Sequence, residues 1–129
     1  MKKFFRCNLF LMSLGGMLYG ALEILWRRYT HWSMVLTGGT CFAILYSLFK
    51  KIAMCSVWIK CVTGGAVITL IELIAGYIFN IRMKLKVWDY SRQPLNFHGQ
   101  ICPLYSALWA VLTIPILALC GWISKKLKL

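Results

Sequence analysis

Two of the three acidic residues in this 129-residue chain, Glu23 and Glu72, fall inside long apolar runs. A carboxylate at membrane depth costs roughly 2.5–3.5 kcal/mol on insertion scales. It persists by facing protein or water, by pairing with a cation, or by holding its proton. On a helix Gly16, Gly20, Glu23 and Arg27 share one face, at i, i+4, i+7 and i+11. Gly16 and Gly20 form a GxxxG pair, which lets another helix come close. Glu23 and Arg27 have the spacing of an i,i+4 ion pair. Gly65, Thr69, Glu72, Gly76 and Asn80 repeat the arrangement on a second run. Glu72 lies midway along that run, and Lys60 and Arg82, its nearest cations in sequence, are too far along a helix to reach it. It is expected to find a partner on another element or to stay protonated, and an intramembrane ionisable group is read first as functional.

Two polar stretches interrupt the apolar runs: WRRYTHWSM at 26–34 and VWDYSRQPLNFHGQICP at 87–103. With the two glutamates they supply a candidate ligand-binding set: Glu23, Arg27, Arg28, His31, Ser33, Glu72, Asn80, Asp89, Tyr90, Ser91, Asn96 and Gln100. Arginine forks suit a carboxylate, a phosphate or a lipid headgroup. The glutamates could carry a proton or balance a cationic part of the ligand. An alternative is an enzyme acting on a lipid or lipid-linked substrate. There His31 would be a general base, oriented by Asp89 or by a glutamate such as Glu72, with Ser33, Ser91 or Cys102 as nucleophile. No GxSxG elbow and no HExxH helix supports a specific version. With two histidines and three acids, no metal site and no cofactor are expected. Each residue also has a plain structural reading: Asp89 as a cap or loop ion pair, His31 and His98 as local hydrogen-bond partners.

Placing these residues requires membrane-spanning helices. The chain is 60% hydrophobic and 14% charged, with a mean hydropathy of +0.72, whereas a soluble domain carries about 25% charged residues. The net charge is +12, but the cations sit at the ends of apolar runs, as in KKFFR and KKLKL. That placement suits lipid headgroups and argues against nucleic acid. Four runs are long enough to cross a bilayer as helices: 7–26, 32–49, 61–81 and 101–123. They are continuous rather than alternating, which excludes a barrel. The reading is therefore an all-α polytopic membrane protein, one four-span domain of two helical hairpins. Residues 50–60 either lie at the interface or extend the third helix. The N-terminal run continues to Trp26 with no small-x-small cleavage site, so it is read as a retained span and not as a signal peptide. The six cysteines are read as unpaired packing residues.

Four spans put both termini on one side, with Lys2, Lys3, Arg6, Lys50, Lys51, Lys60, Lys125, Lys126 and Lys128. Arg27, Arg28, Arg82, Lys84, Lys86 and Arg92 fall on the other, in loops 27–31 and 82–100, so that the two polar stretches share a face. The excess of cations favours cytoplasmic termini in a cell membrane. Trp26, Trp32, Trp88 and Trp122 are placed near span ends as interfacial anchors. The two halves also echo each other. Glu23, Arg27, Trp32-Ser33, Gly39, Cys41 and Tyr46-Ser47 parallel Glu72, Asn80, Trp88 to Ser91, Gly99, Cys102 and Tyr105-Ser106. Such an echo would make the fold a parallel repeat of two hairpins about an axis along the membrane normal.

The strings Thr30-His31-Trp32-Ser33-Met34 and Trp88-Asp89-Tyr90-Ser91, with Pro94, Asn96 and Gly99-Gln100-Ile101-Cys102, carry a further signal. Together with Glu23, Arg27-Arg28, Gly38-Gly39, Glu72, Gly76 and Asn80, the chain resembles the ABC-transporter type IV (CmpB-like) family of small bacterial membrane proteins. That resemblance implies an inner-membrane transporter or permease component. The chain has no GxxxxGK[ST] loop with which to hold ATP. Transport would therefore require self-association or a partner membrane subunit, and a separate ATPase chain if it is ABC-driven.

Overall fold

The protein was analysed as a computed structural model, which describes residues 2–127; Lys128, one of the cations counted above, lies outside them. The fold is all-helical. Helices α1 (Lys2–Arg27), α2 (Trp32–Lys51), α3 (Val57–Gly76) and α4 (Pro103–Leu127) follow in order, and α3 continues directly into a π-helical segment, Tyr77–Arg82. There are four helices long and apolar enough to span a membrane, and no β-strand among the described residues.

Local chemistry sets the helix ends. Arg28 takes a left-handed φ of 65° just beyond α1, the C′ conformation that stops a helix. The His31 carbonyl accepts the first N–H groups of α2, from Met34 and Val35. Ser56 caps α3 through its hydroxyl, which accepts from the Ile59 N–H. Helix therefore begins at Val57, and Lys60 lies in its first turn. Pro103 opens α4 at the position where a missing N–H is least costly.

The chain divides into two compact units, one ending at Ser47 and one beginning at Leu48. In the first, α1 and α2 meet through glycines. A β-carbon at Gly39 would strike the backbone carbonyl of Met12, and one at Gly16 would lie 2.7 Å from the carbonyl oxygen of Val35. Bare backbone on each helix thus faces the other, the close approach that small residues permit in membranes.

In the second unit, Gly65 packs on Ala110, Gly64 on Thr113, and the Thr69 and Ser106 hydroxyls are 2.8 Å apart. These pairings fix the register and show that α3 and α4 are offset. Glu72 lies level with the first turn of α4, and the ten residues 73–82 run on past it, about 15 Å at the α-helical rise. The connecting segment packs along that extension. Val87, Trp88, Gln100 and Cys102 are buried, and a β-carbon at Gly76 would lie 2.5 Å from the Gln100 side-chain oxygen. Trp88 is therefore no interfacial anchor. Its indole N–H donates to the Gln100 carbonyl at 3.0 Å, and a partnered indole can be buried. Trp26, Trp32 and Trp122 are exposed. None of the six cysteines forms a disulfide, and four of them are buried.

Candidate functional site

Glu72 is the centre of the second unit's polar chemistry. It is only 5% exposed, on the α3 face that α4 and the connecting segment cover. The Tyr90 hydroxyl donates to Oε2 at 3.0 Å, and the Trp109 indole N–H lies 3.4 Å from Oε1. Tyr90 stacks on Tyr105 with ring centroids 4.6 Å apart, and Tyr105 leans on Trp109. The partner expected on another element is thus supplied twice, by the connecting segment and by α4. Neutral donors with apolar bodies enter a lipid-facing hairpin at lower cost than a lysine. Trp109 and Tyr105 were not candidates from sequence. They sit four apart on one face of α4, but only the register brings that face to Glu72.

Above Glu72 the candidate polar residues build the connecting segment. Asn80 Nδ2 donates to Gln100 Oε1 at 2.8 Å, and Asn80 Oδ1 accepts from the Val87 N–H. Gln100 also donates to the His98 carbonyl. Asn96 donates to the Ser91 and Gln93 carbonyls and accepts from the Gly99 N–H. Gly99, at φ +73°, has the Asp89 carboxylate 3.0 Å from where a β-carbon would stand, a combination that favours glycine. His98 meets the Tyr77 hydroxyl at 3.0 Å and stacks on Phe97.

Asp89 closes a tight turn by accepting the Ser91 N–H at 2.8 Å. That N–H first, then the Ser91 hydroxyl, then nearby Arg92, hold the carboxyl below its ordinary value of 3.8 against slight desolvation. A carboxyl whose value is lowered by folding contributes stability above its unfolded value and loses it as pH falls through the folded one. The Ser91 amide resonance is therefore expected to titrate with a midpoint below pH 3.8; a midpoint at or above that value would rule out the turn.

In the first unit Glu23 is also buried. Its Oε1 accepts from the Tyr19 hydroxyl at 2.9 Å and its Oε2 from Arg27 Nε at 2.7 Å, the ion pair expected from the spacing. The Arg27 guanidinium lies over the Tyr29 ring. Tyr19 was missed, although it stands four residues before Glu23 on the same stripe. Arg28 is exposed. His31 Nδ1 is 2.7 Å from the Ser33 hydroxyl and accepts from the Ser33 N–H at 3.2 Å. Ser33 has no exposed surface, so this pair caps α2 and presents no nucleophile to solvent.

Buried carboxylates held by aromatic donors, on four helices of membrane-spanning length, define a helical membrane protein. Residues 8–128 match the family described as Putative ABC-transporter type IV, and the chain belongs to that family. No curated protein and no solved structure matches it significantly.

Proposed function

We propose that the chain is a membrane-spanning component of a transporter in the cell membrane, with cytoplasmic termini, and that Glu72 is its working group. The observation that carries this reading is the buried Glu72 carboxylate held by Tyr90 from the connecting segment and Trp109 from α4. A carboxylate in that place can take up a proton or the cationic end of a zwitterion. Exposed Arg92 on the same segment supplies charge for an anionic or zwitterionic small molecule or a lipid headgroup, and Arg27 and Arg28 carry charge in the first unit by themselves. Asn80, Asp89, Ser91, Asn96 and Gln100 hold the segment that carries Tyr90. Glu23, His31 and Ser33 shape the first unit's polar end. Family membership supports assembly with other transporter components, either further copies or a partner subunit, and an ATPase on a separate chain.

The test is mass spectrometry of the lipids and metabolites that copurify with the full chain and with Glu72→Gln. The variant keeps the shape and an acceptor oxygen but not the charge. The expected result is an anionic or zwitterionic compound retained by the wild type and lost from the variant at unchanged thermal stability. The same compounds in both samples would overturn the assignment. New, chemically altered lipid species that depend on His31 would indicate catalysis instead.

A further inference from the structure

The segment that leaves the π-helical turn reads Arg82-Met83-Lys84-Leu85-Lys86, cations alternating with aliphatic residues, and every one of these side chains is exposed. Its backbone is nevertheless fixed. The Met83 N–H donates to the Ile78 carbonyl and the Leu85 N–H to the Phe79 carbonyl. Lys84 and Lys86 stand at left-handed φ values of 56° and 51°, conformations that β-carbon-bearing residues adopt only when the surroundings impose them. Among the described residues none of Arg82, Lys84, Lys86 and Arg92 has a protein carboxylate within ion-pair distance. Asp89, the one acid in the connecting segment, is engaged by Ser91. Arg82, Lys84 and Lys86 therefore face outward without protein counter-charge, and exposed Arg92 adds a fourth cation on the same connecting segment, beside Asp89.

The depth of this rim follows from α3. Between Lys60 and Arg82 lie residues 61–81, about 30 Å of helix, which equals the hydrocarbon thickness of a bilayer. That length puts Arg82 to Lys86 in the headgroup layer. Leu95, 86% exposed, and Phe97 project from the same connecting segment. Apolar side chains interleaved with cations suit a surface that is apolar below and anionic above. A soluble protein partner would offer neither that layering nor a match to the depth.

We infer that the rim formed by Arg82, Lys84, Lys86 and Arg92, with Met83, Leu85, Leu95 and Phe97, is a binding surface for anionic phospholipid headgroups of the bilayer. The surface shares Arg92 with the proposed ligand site but does not include the buried Glu72, and its function does not depend on the transport reading. Its cations bind the phosphates, and its aliphatic residues enter the acyl boundary beneath them.

The experiment uses the full chain in bilayers of phosphatidylcholine doped with a diazirine-bearing phosphatidylglycerol, and the crosslinked peptides are mapped. Crosslinks are expected within residues 81–97. Excess unlabelled phosphatidylglycerol should compete them away, and millimolar inorganic phosphate should not. The triple variant Arg82→Gln, Lys84→Gln, Lys86→Gln should lower crosslinking here by about tenfold or more, since each cation near an anionic surface adds binding energy. The matched triple Lys50→Gln, Lys51→Gln, Lys60→Gln should leave it unchanged. Because the first three side chains are exposed, that variant is expected to keep its melting temperature; if it melts early, Arg92→Gln alone serves, with a smaller loss. The inference is overturned by equal crosslinking from a diazirine phosphatidylcholine, by competition from inorganic phosphate, or by equal loss in both triples.

Discussion

Gly39→Ala is expected to be the most damaging single-methyl change in the first unit. An alanine β-carbon at this position would strike the backbone carbonyl of Met12. Overpacking of a tight interface costs typically about 1–3 kcal/mol, and the lower figures belong to neighbours that can change rotamer. A helix carbonyl cannot rotate away, because it is held in its own hydrogen-bond ladder. The expected loss is therefore at the upper end, about 3 kcal/mol, read as early thermal unfolding in detergent. Gly121→Ala is the internal control. It lies inside α4 with nothing within 4 Å of the added atom, so the higher helix propensity of alanine should leave the protein unchanged or more stable by up to about 1 kcal/mol. Equal destabilisation by the two changes would show that Gly39 matters as backbone and not as a contact.

The second large effect is expected from Tyr90→Phe combined with Trp109→Phe, which removes two donors from Glu72 while keeping aromatic bulk. Taken singly, hydrogen bonds within a membrane average about 0.6 kcal/mol. The double variant should cost more than twice that, because a buried charge that loses hydrogen-bond donors keeps its desolvation cost, about 1–3 kcal/mol or more for a charged group. Adding Glu72→Gln should restore much of the loss, since a neutral amide carries no such penalty. A double-mutant cycle on thermal unfolding decides it. Simple additivity, or no rescue by Glu72→Gln, would show that the two aromatic donors do not hold the charge.

These expectations depend on features with very different visibility in the sequence. The four apolar helices were legible because bilayer thickness imposes a length and a composition on each. The Glu23–Arg27 contact was legible because both groups lie on one helix, where spacing alone fixes proximity. Tyr19 is equally legible by that rule, at four residues before Glu23, once a phenol hydroxyl is counted as a donor to an acid. Trp109 and Tyr105 were not legible. They lie 37 and 33 residues from Glu72, and only the Gly65–Ala110 register brings them there. Trp88 misled for a related reason. An amphipathic ring near a span end is ordinarily interfacial, but the offset of α3 past α4 creates room that the indole fills, with the Gln100 carbonyl as its acceptor.

That offset has a consequence for the bilayer itself. Projected on the shared register, the apolar profile of the pair runs from Ile81 at one end to Ile123 at the other, about 44 Å against a hydrocarbon slab of about 30 Å. Basic residues pin both ends of α3, so the surplus falls on the far end of α4, where exposed Trp122 precedes Lys125 and Lys126. Hydrophobic mismatch of this kind is relieved by tilt or by local thickening. A thinner membrane is therefore expected to tilt α4, the helix whose Trp109 reaches Glu72.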